Sequence, residues 1–357
     1  MEILIMRYMR FFQKCIPLFL TMWTLLSGGQ VPPASVPPGA PTNSFFDNDT
    51  LFLFKPMPLH VGGEVEHPGM ATYDSLPLRS VIVKESHTGP GGDVLFTGAY
   101  RYEGYALTDL LNPFLAKKTN REAFPPLTDL YIKVFNNEGD TVVISWGELY
   151  YANRPENIII ATRVMRIVPE KTGERWPLPA SSRLVIPNDL RSDRNIPMPT
   201  GIVVVSCGKE MATEKGKFPM HADSLMMDGG KYGRFILKGA PGCSPVTVHT
   251  IFYGKGRGLH STGTVTGSDV QCVLSDLIPV TAENLKHGLV LFGADDGYRA
   301  VFSLSELVNR NDQEHTLLLY TKDDQGEGRF RLYPSCDFFS DRAVKGLTNI
   351  WLSTGTL

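Results

Sequence analysis

R-L-V-I-P-N-D-L-R-S-D-R, residues Arg183 to Arg194, returns as R-L-Y-P-S-C-D-F-F-S-D-R at Arg331 to Arg342. Counted from each leading arginine, Arg, Leu, Asp, Ser, Asp and Arg keep the same offsets, six of twelve positions without a gap and 148 residues apart. A repeat of that size points to two copies of one domain rather than to a solenoid. Two readings of the stretch compete. Arg183, Asp189 and Arg194 could contact a phosphate or carboxylate. Alternatively, Ser192 and Asp193 cap a turn while the arginines pair with Asp189 inside the fold. Recurrence in both halves favours the structural reading.

Three more blocks recur in the same order. Leu107 to Leu111 (L-T-D-L-L) begins a helix that Thr108 or Asp109 can cap, and Leu274 to Ile278 (L-S-D-L-I) matches it. The alternating stretch Asp129 to Phe135, the turn residues Asn136 to Asp140 and the return Thr141 to Ile144 form a hairpin. Leu289 to Phe292, Ala294 to Gly297 and Ala300 to Phe302 repeat it. Ser145 caps a short helix in S-W-G-E-L, and Ser303 heads the parallel S-L-S-E-L. The chain therefore divides into a leader (1–29), a proline-rich linker (30–50), a first unit (51–206) and a second, divergent copy (207–357).

Lys and Arg number 35 against 37 Asp and Glu, so the chain lacks the basic footprint that nucleic acid requires. With 34 glycines and 26 prolines, short strands joined by turns are expected over long helices. Arg7, Arg10 and Lys14 precede the apolar run Ile16 to Leu26, and Ser27, Gly28 and Gly29 follow, the pattern of a secretory signal. That run is well short of the about 20 residues a spanning helix needs, so no stable transmembrane span is expected after cleavage. The expected location is periplasmic or secreted. Five prolines between Gln30 and Ser44 make an extended spacer. Beyond the leader, Cys207, Cys243, Cys272 and Cys336 form either two disulfides, with three pairings open, or buried thiols.

Gly63-Glu64-Val65-Glu66-His67-Pro68, Gly104 to Leu111 (G-Y-A-L-T-D-L-L) and Arg183 to Pro187 (R-L-V-I-P) follow one another at domain spacing. In order and spacing they resemble the molybdopterin-binding domain of the sulfite oxidase family, over roughly Leu59 to Val205. The resemblance implies an α+β fold, here two tandem units of mixed coiled β-sheets with short helices around a pterin cleft. It also implies a molybdenum held by a cysteine thiolate on the loop before the G-x-x-L-x-D-L-L helix. A soft thiolate suits such a metal. Between Leu78 and Leu107, however, there is no cysteine, and Cys272 and Cys243 stand badly for the role in the second half. Molybdopterin is the cofactor if the resemblance extends to function; otherwise none is expected.

The candidate cofactor- or ligand-binding residues are His87, Arg101 and Arg183. His87 shares the loop His87 to Asp93 with Asp93, and Arg101 stands between Tyr100 and Tyr102, so that a guanidinium fork and two hydroxyls could meet an anion. On the equivalent loop Gly254 to Ser261, His260 accompanies Lys255 and Arg257. Each has a plain alternative as a solvated loop or strand-edge side chain. Met211, Met220, His221, Met226 and Met227 could bind a soft metal or simply form a methionine-rich junction. No residue qualifies as catalytic or as a metal ligand, since no glycine-rich phosphate cradle, H-E-x-x-H or G-x-S-x-G occurs. The expected function is binding of a small anionic ligand or an envelope protein partner by an exported scaffold. The alternative is an active molybdopterin-dependent oxidoreductase with atypical metal ligation.

Overall fold

A computed structural model describes residues 34–37, 39, 43–211, 221–275, 277–355 and 357. The segment expected to be a secretory leader, part of the proline-rich linker and Met220 lie outside the described residues. After a short strand β1 (Ala34–Val36), the first half builds two sheets. One takes β2 (Leu51–Leu53), β5 (Leu78–Thr88), β6 (Val94–Ala106), β9 (Ile159–Arg166) and β10 (Arg183–Val185), with β5, β6, β9 and β2 side by side and β10 also on β9. The other takes β3 (His60–Gly63), β4 (Gly69–Met70), β7 (Leu130–Asn136), β8 (Thr141–Ser145) and β11 (Pro199–Ser206), in the order β4-β3-β11-β7-β8. In it β3 and β11 run parallel, while β7 pairs antiparallel with both of its neighbours.

The second half repeats the plan. β12 (Ser224–Asp228), β13 (Arg234–Lys238), β16 (Gly288–Ala294), β17 (Arg299–Ser303) and β20 (Leu347–Thr354) lie in the order β13-β12-β20-β16-β17, with β12 and β20 parallel. β14 (Pro245–Gly254), β15 (Gly258–Asp269), β18 (Thr316–Lys322) and β19 (Gly328–Pro334) complete the fourth sheet in that order.

The α+β expectation is corrected here. Strand outweighs helix by 45 % to 12 %, and the four small sheets are arranged like the blades of a four-bladed propeller. The helix starts are real but stop at once. α1 (Leu107–Leu111) runs into Asn112-Pro113: Asn112 keeps the helical conformation and bonds the Thr108 carbonyl, but Pro113 has no N–H to make the next helical bond. α2 (Trp146–Tyr150), α3 (Val270–Ser275), α4 (Ala282–His287) and α5 (Leu304–Val308) are equally brief, so among the described residues no helical layer covers a sheet. α1 has no side-chain cap: Thr108 bonds the Pro155 carbonyl and Asp109 pairs with Arg79.

Strand register aligns the halves residue by residue and shifts one of the matched blocks. β6 feeds α1 as β15 feeds α3, so Val270, not Leu274, takes the place of Leu107. The shared marker at that joint is a glycine. A Cβ on Gly104 would sit 2.1 Å from the Ile160 carbonyl oxygen, and one on Gly267 would sit 2.8 Å from that of Leu318. Only glycine lets the neighbouring strand approach so closely. The β-bulges agree as well, with Thr97 unpaired in one hairpin and His260 in the other. Residues Ser35–Leu357 nevertheless form one compact unit.

Apolar side chains fill the space between the two sheets of each half, centred on Leu107, Ile132, Ile160 and Ile202 in the first and on Leu274, Phe292, Phe302 and Leu332 in the second. Tyr131, Val143, Leu289, Leu291 and Val301 join the halves to each other. Beside that seam lies a buried polar ring that explains the repeated stretch. Arg194 donates to Asp189 from Nε (2.8 Å) and Nη2 (2.7 Å), to Glu148 from Nη2 (2.6 Å) and Nη1 (3.0 Å), and to Ser303 Oγ (3.1 Å). Arg342 answers with Asp337 (2.7 and 2.6 Å), Glu306 (3.0 Å) and Ser145 Oγ (3.1 Å). Ser145 and Ser303 each cap their own helix, α2 and α5, and each donates to the other half's glutamate. The third shared acid has a separate task. Asp193 accepts the Thr88 N–H, and Asp341 accepts the Lys255 N–H at 2.7 Å, which ties the tip of each long hairpin to the body.

Four carboxylates and two arginines leave the fully ionised ring with an excess of negative charge. Burial, against the pull of Arg342 and reinforced by Glu148, pushes Glu306 up to about 7. Burial likewise pushes Asp189 up to about 6 against the pull of Arg194. Glu148 resists: burial raises it, but the bidentate Arg194 fork outweighs burial and holds it below the usual carboxylate range.

Candidate functional site: a basic cavity in the second half

Arg183 and Arg331 occupy the same place in their strands, opposite Ala161 and Leu319. Their surroundings differ. In the first half Arg183 Nη1 lies 3.4 Å from Glu85 Oε2, and Nη2 donates to the Asn195 carbonyl at 3.0 Å. Tyr102 Oη and Asn195 Nδ2 donate to the other Glu85 oxygen at 3.1 and 3.0 Å. Tyr100 packs beside Tyr102 with ring centroids 5.6 Å apart and donates to the Pro177 carbonyl. Burial, with Glu85 adding to it, pushes the Tyr100 hydroxyl up to about 12, so it stays a donor. The segment joining β9 to β10 lies over this face and packs Trp176 and Leu178 onto Tyr100 and Val83 as part of one apolar cluster. The space is full and the charge is answered.

Register places Phe252 where Glu85 stands, Gly263 for Tyr100, Val265 for Tyr102 and Ala343 for Asn195. The counter-ion, both phenols and the amide are gone, and the arginine stays. The covering segment is gone too, because β18 turns directly into β19 through Asp323–Glu327. What remains is a cavity of about 270 Å³ walled by Arg331, Lys345, His260, Thr250 and Tyr333, with no carboxylate among the described residues that line it. It shares Phe252, His260 and Lys345 with a second cavity of about 360 Å³, which adds Arg257, Tyr298, Asp296 and Asp341.

Among the described residues Arg331, Lys345 and Arg257 have no acidic partner within ion-pair distance. Burial, with Arg329 adding repulsion, pushes the Arg331 guanidinium below its usual range. In the buried ring burial opposes Arg194 and Arg342 as well, but their carboxylates outweigh it and raise both. A half-buried cation without a counter-charge gains from any anion that reaches it. His260 stacks edge-on against Phe252 at 5.3 Å, which orients its ring at the junction of the two cavities.

The three residues singled out from sequence do not converge on one pocket. Arg183 sits in the filled cluster. Arg101 lies on the opposite face of β6 from Tyr100 and Tyr102, where it bonds Glu103 (2.9 Å) and faces Asp47 (3.5 Å). His87 belongs to β5 rather than to a loop, and its Nδ1 approaches Asp193 at 3.9 Å, not Asp93. His260, on the hairpin of the second half, does line a cavity; it too lies in a strand, at the bulge of β15. No motif marks Arg331, Lys345 and Tyr333 as a site, because their meaning lies in what their counterparts' neighbours have become. The only signal in the sequence is the leading arginine of the second copy.

The cysteines do not fit a thiolate-held molybdenum. Cys243 and Cys272 form a disulfide, with Cα atoms 6.2 Å apart. Cys207 and Cys336 are buried thiols, and burial, with Asp337 nearby, pushes Cys336 up to about 12. Neither is a thiolate near neutral pH. Among the described residues the methionines of the junction do not gather either. Met226 is exposed, Met227 is buried on the other face of β12, and Met211 packs on Gly293. His221, Asp323 and Glu327 bring ligand-type atoms within 4.8 Å of one another at the surface, where His221 pairs with both acids. Among the described residues no helix is long and apolar enough to cross a membrane. The chain matches no protein-family model and no curated protein.

Proposed function

We propose that this chain is an exported binding protein whose second half takes a small anionic ligand, while the first half is its filled and structural counterpart. One observation carries the reading: the arginine is retained in both halves, but only in the second is its intramolecular carboxylate replaced, by Phe252, and its pocket emptied. A phosphate, sulfate or carboxylate would meet the Arg331 fork and the Lys345 ammonium, with His260, Thr250 and Tyr333 as hydrogen-bonding neighbours. No step of bond making or breaking is assigned to the site. The Cys243–Cys272 disulfide supports an oxidising compartment.

Calorimetric titration with inorganic phosphate, sulfate and acetate tests the proposal, with Arg331→Gln alongside. Saturable binding of at least one of these anions is expected, weakening with added salt. Loss of a charge-assisted hydrogen bond, worth about 1.5–3 kcal/mol, should weaken it by roughly 10- to 100-fold in the variant. Equal binding by the variant, or no saturable binding of any of the three, would refute it.

A further inference from the structure

The second half differs from the first in a second way, independent of the cavity's charge. In the first half β6 and β9 pair at seven positions, from Tyr100 to Ala106. The corresponding strands β15 and β18 pair at two, Ser268 with Leu318 and Asp269 with Leu317. Both strands continue well past that point, β15 back to Gly258 paired with β14 and β18 on to Lys322 paired with β19. The two hairpins therefore diverge like the arms of a V. Along Ser261–Thr266 the outer edge of β15 has no ladder partner among the described residues. The cavity walled by Arg331 and Lys345 lies in the opening, touched by β15 on one side and Leu319 of β18 on the other.

Free edges of this length are normally blunted by charge, proline or a covering segment. Ser261–Thr266 reads S-T-G-T-V-T, with neither charge nor proline, and the segment that covers the first half has no counterpart. Backbone donors and acceptors along such an edge are answered by an added strand. We propose that β15 is completed by an extended acidic peptide, which lies along its free edge and places a carboxylate in the Arg331 cavity. Charge selects this occupant over a second copy of the same edge, since two copies would bring Arg331 and Lys345 of each toward those of the other. The inference rests on the anion-binding reading and names the ligand's class.

The test uses the full mature chain and a blocked eight-residue peptide of alternating threonine and valine with one central glutamate, its glutamine analogue, and inorganic phosphate. Fluorescence anisotropy should show the glutamate peptide binding at least about tenfold more tightly than the glutamine one, with phosphate competing. Hydrogen exchange should slow along Ser261–Thr266 when the glutamate peptide is bound and stay unchanged with phosphate alone. Peptide binding without protection of that edge, or no tighter than phosphate, would overturn the strand-addition proposal and leave small-anion binding standing. Protection of the edge in the unliganded chain that grows with protein concentration would overturn it in favour of self-pairing. Failure of both phosphate and peptide to bind would sink both readings together.

Discussion

Replacing Arg194 by methionine, similar in length but without donors, probes the ring that joins the halves. The wild-type guanidinium makes two bonds to Asp189 (2.8 and 2.7 Å), two to Glu148 (3.0 and 2.6 Å), one to Ser303 Oγ (3.1 Å) and one to the Val143 carbonyl (3.2 Å). Its removal strands two carboxylates, Asp189 fully buried and Glu148 nearly so. Breaking a buried pair by deleting one partner costs about 3–5 kcal/mol, and with two acids left the upper end applies. That is a third or more of a total stability of about 5–15 kcal/mol. Guanidinium unfolding, followed by tryptophan fluorescence and far-ultraviolet circular dichroism, measures it. Trp146 and Trp176 report on the first half and Trp351 on the second, so the two signals should shift together. Further replacing Asp189 and Glu148 by leucine should recover most of the loss, because the unpaired charges go with it. A cost below about 1 kcal/mol, or separate transitions for the halves, would refute the claim that the ring holds them as one.

The ring also predicts a pH dependence. Glu306 is pushed up to about 7 in the fold, above its ordinary 4.5, so the folded chain holds this proton where the unfolded chain releases it. The contribution to stability is full below about 4.5 and is lost as pH rises through 7, by at most ~1.4 kcal/mol per pH unit. Glu306→Gln, which mimics the protonated acid, should flatten that slope in unfolding curves taken across this range, from about 4.5 to about 8; an unchanged slope would place the proton elsewhere. Reduction of Cys243–Cys272, which closes a loop across 29 residues, should cost about 3–4 kcal/mol. Cys243→Ser/Cys272→Ser should melt lower by a similar free energy, and an unchanged melting curve would contradict the crosslink.

What can be read from the sequence is whatever each residue does locally. Ser145 and Ser303 are visible as helix caps because S-x-x-E is a local pattern, and both caps are present. Their second bonds, Ser145 to Glu306 and Ser303 to Glu148, join residues 161 and 155 apart and leave no local trace. L-T-D-L-L signals a helix start correctly, but the α+β class needs helices long enough to form a layer, and Asn112-Pro113 ends the first after five residues. Neighbouring glycines make His87 and His260 look like loop residues; the strands run right up to the tight glycine turns, and both histidines belong to strands. The cavity is least legible. It is made by subtraction, Glu85 to Phe252, Tyr100 to Gly263 and Tyr102 to Val265, and becomes visible only after strand pairing has fixed the register. A sequence motif marks what is kept, and here the kept residue, arginine, has a carboxylate partner in the first half and, among the described residues, none in the second.

The most direct test of that asymmetry gives the second half back its lost counter-ion. Phe252→Glu places a carboxylate where Glu85 answers Arg183, beside the otherwise unanswered Arg331. Calorimetric titration of the variant with whichever of phosphate, sulfate or acetate the wild-type chain binds should show affinity reduced at least about tenfold, as expected for a competing charge-assisted pair. The circular dichroism spectrum should be unchanged. Undiminished anion binding by a folded Phe252→Glu protein would contradict the account, because Arg331 would then not be the charge the ligand meets.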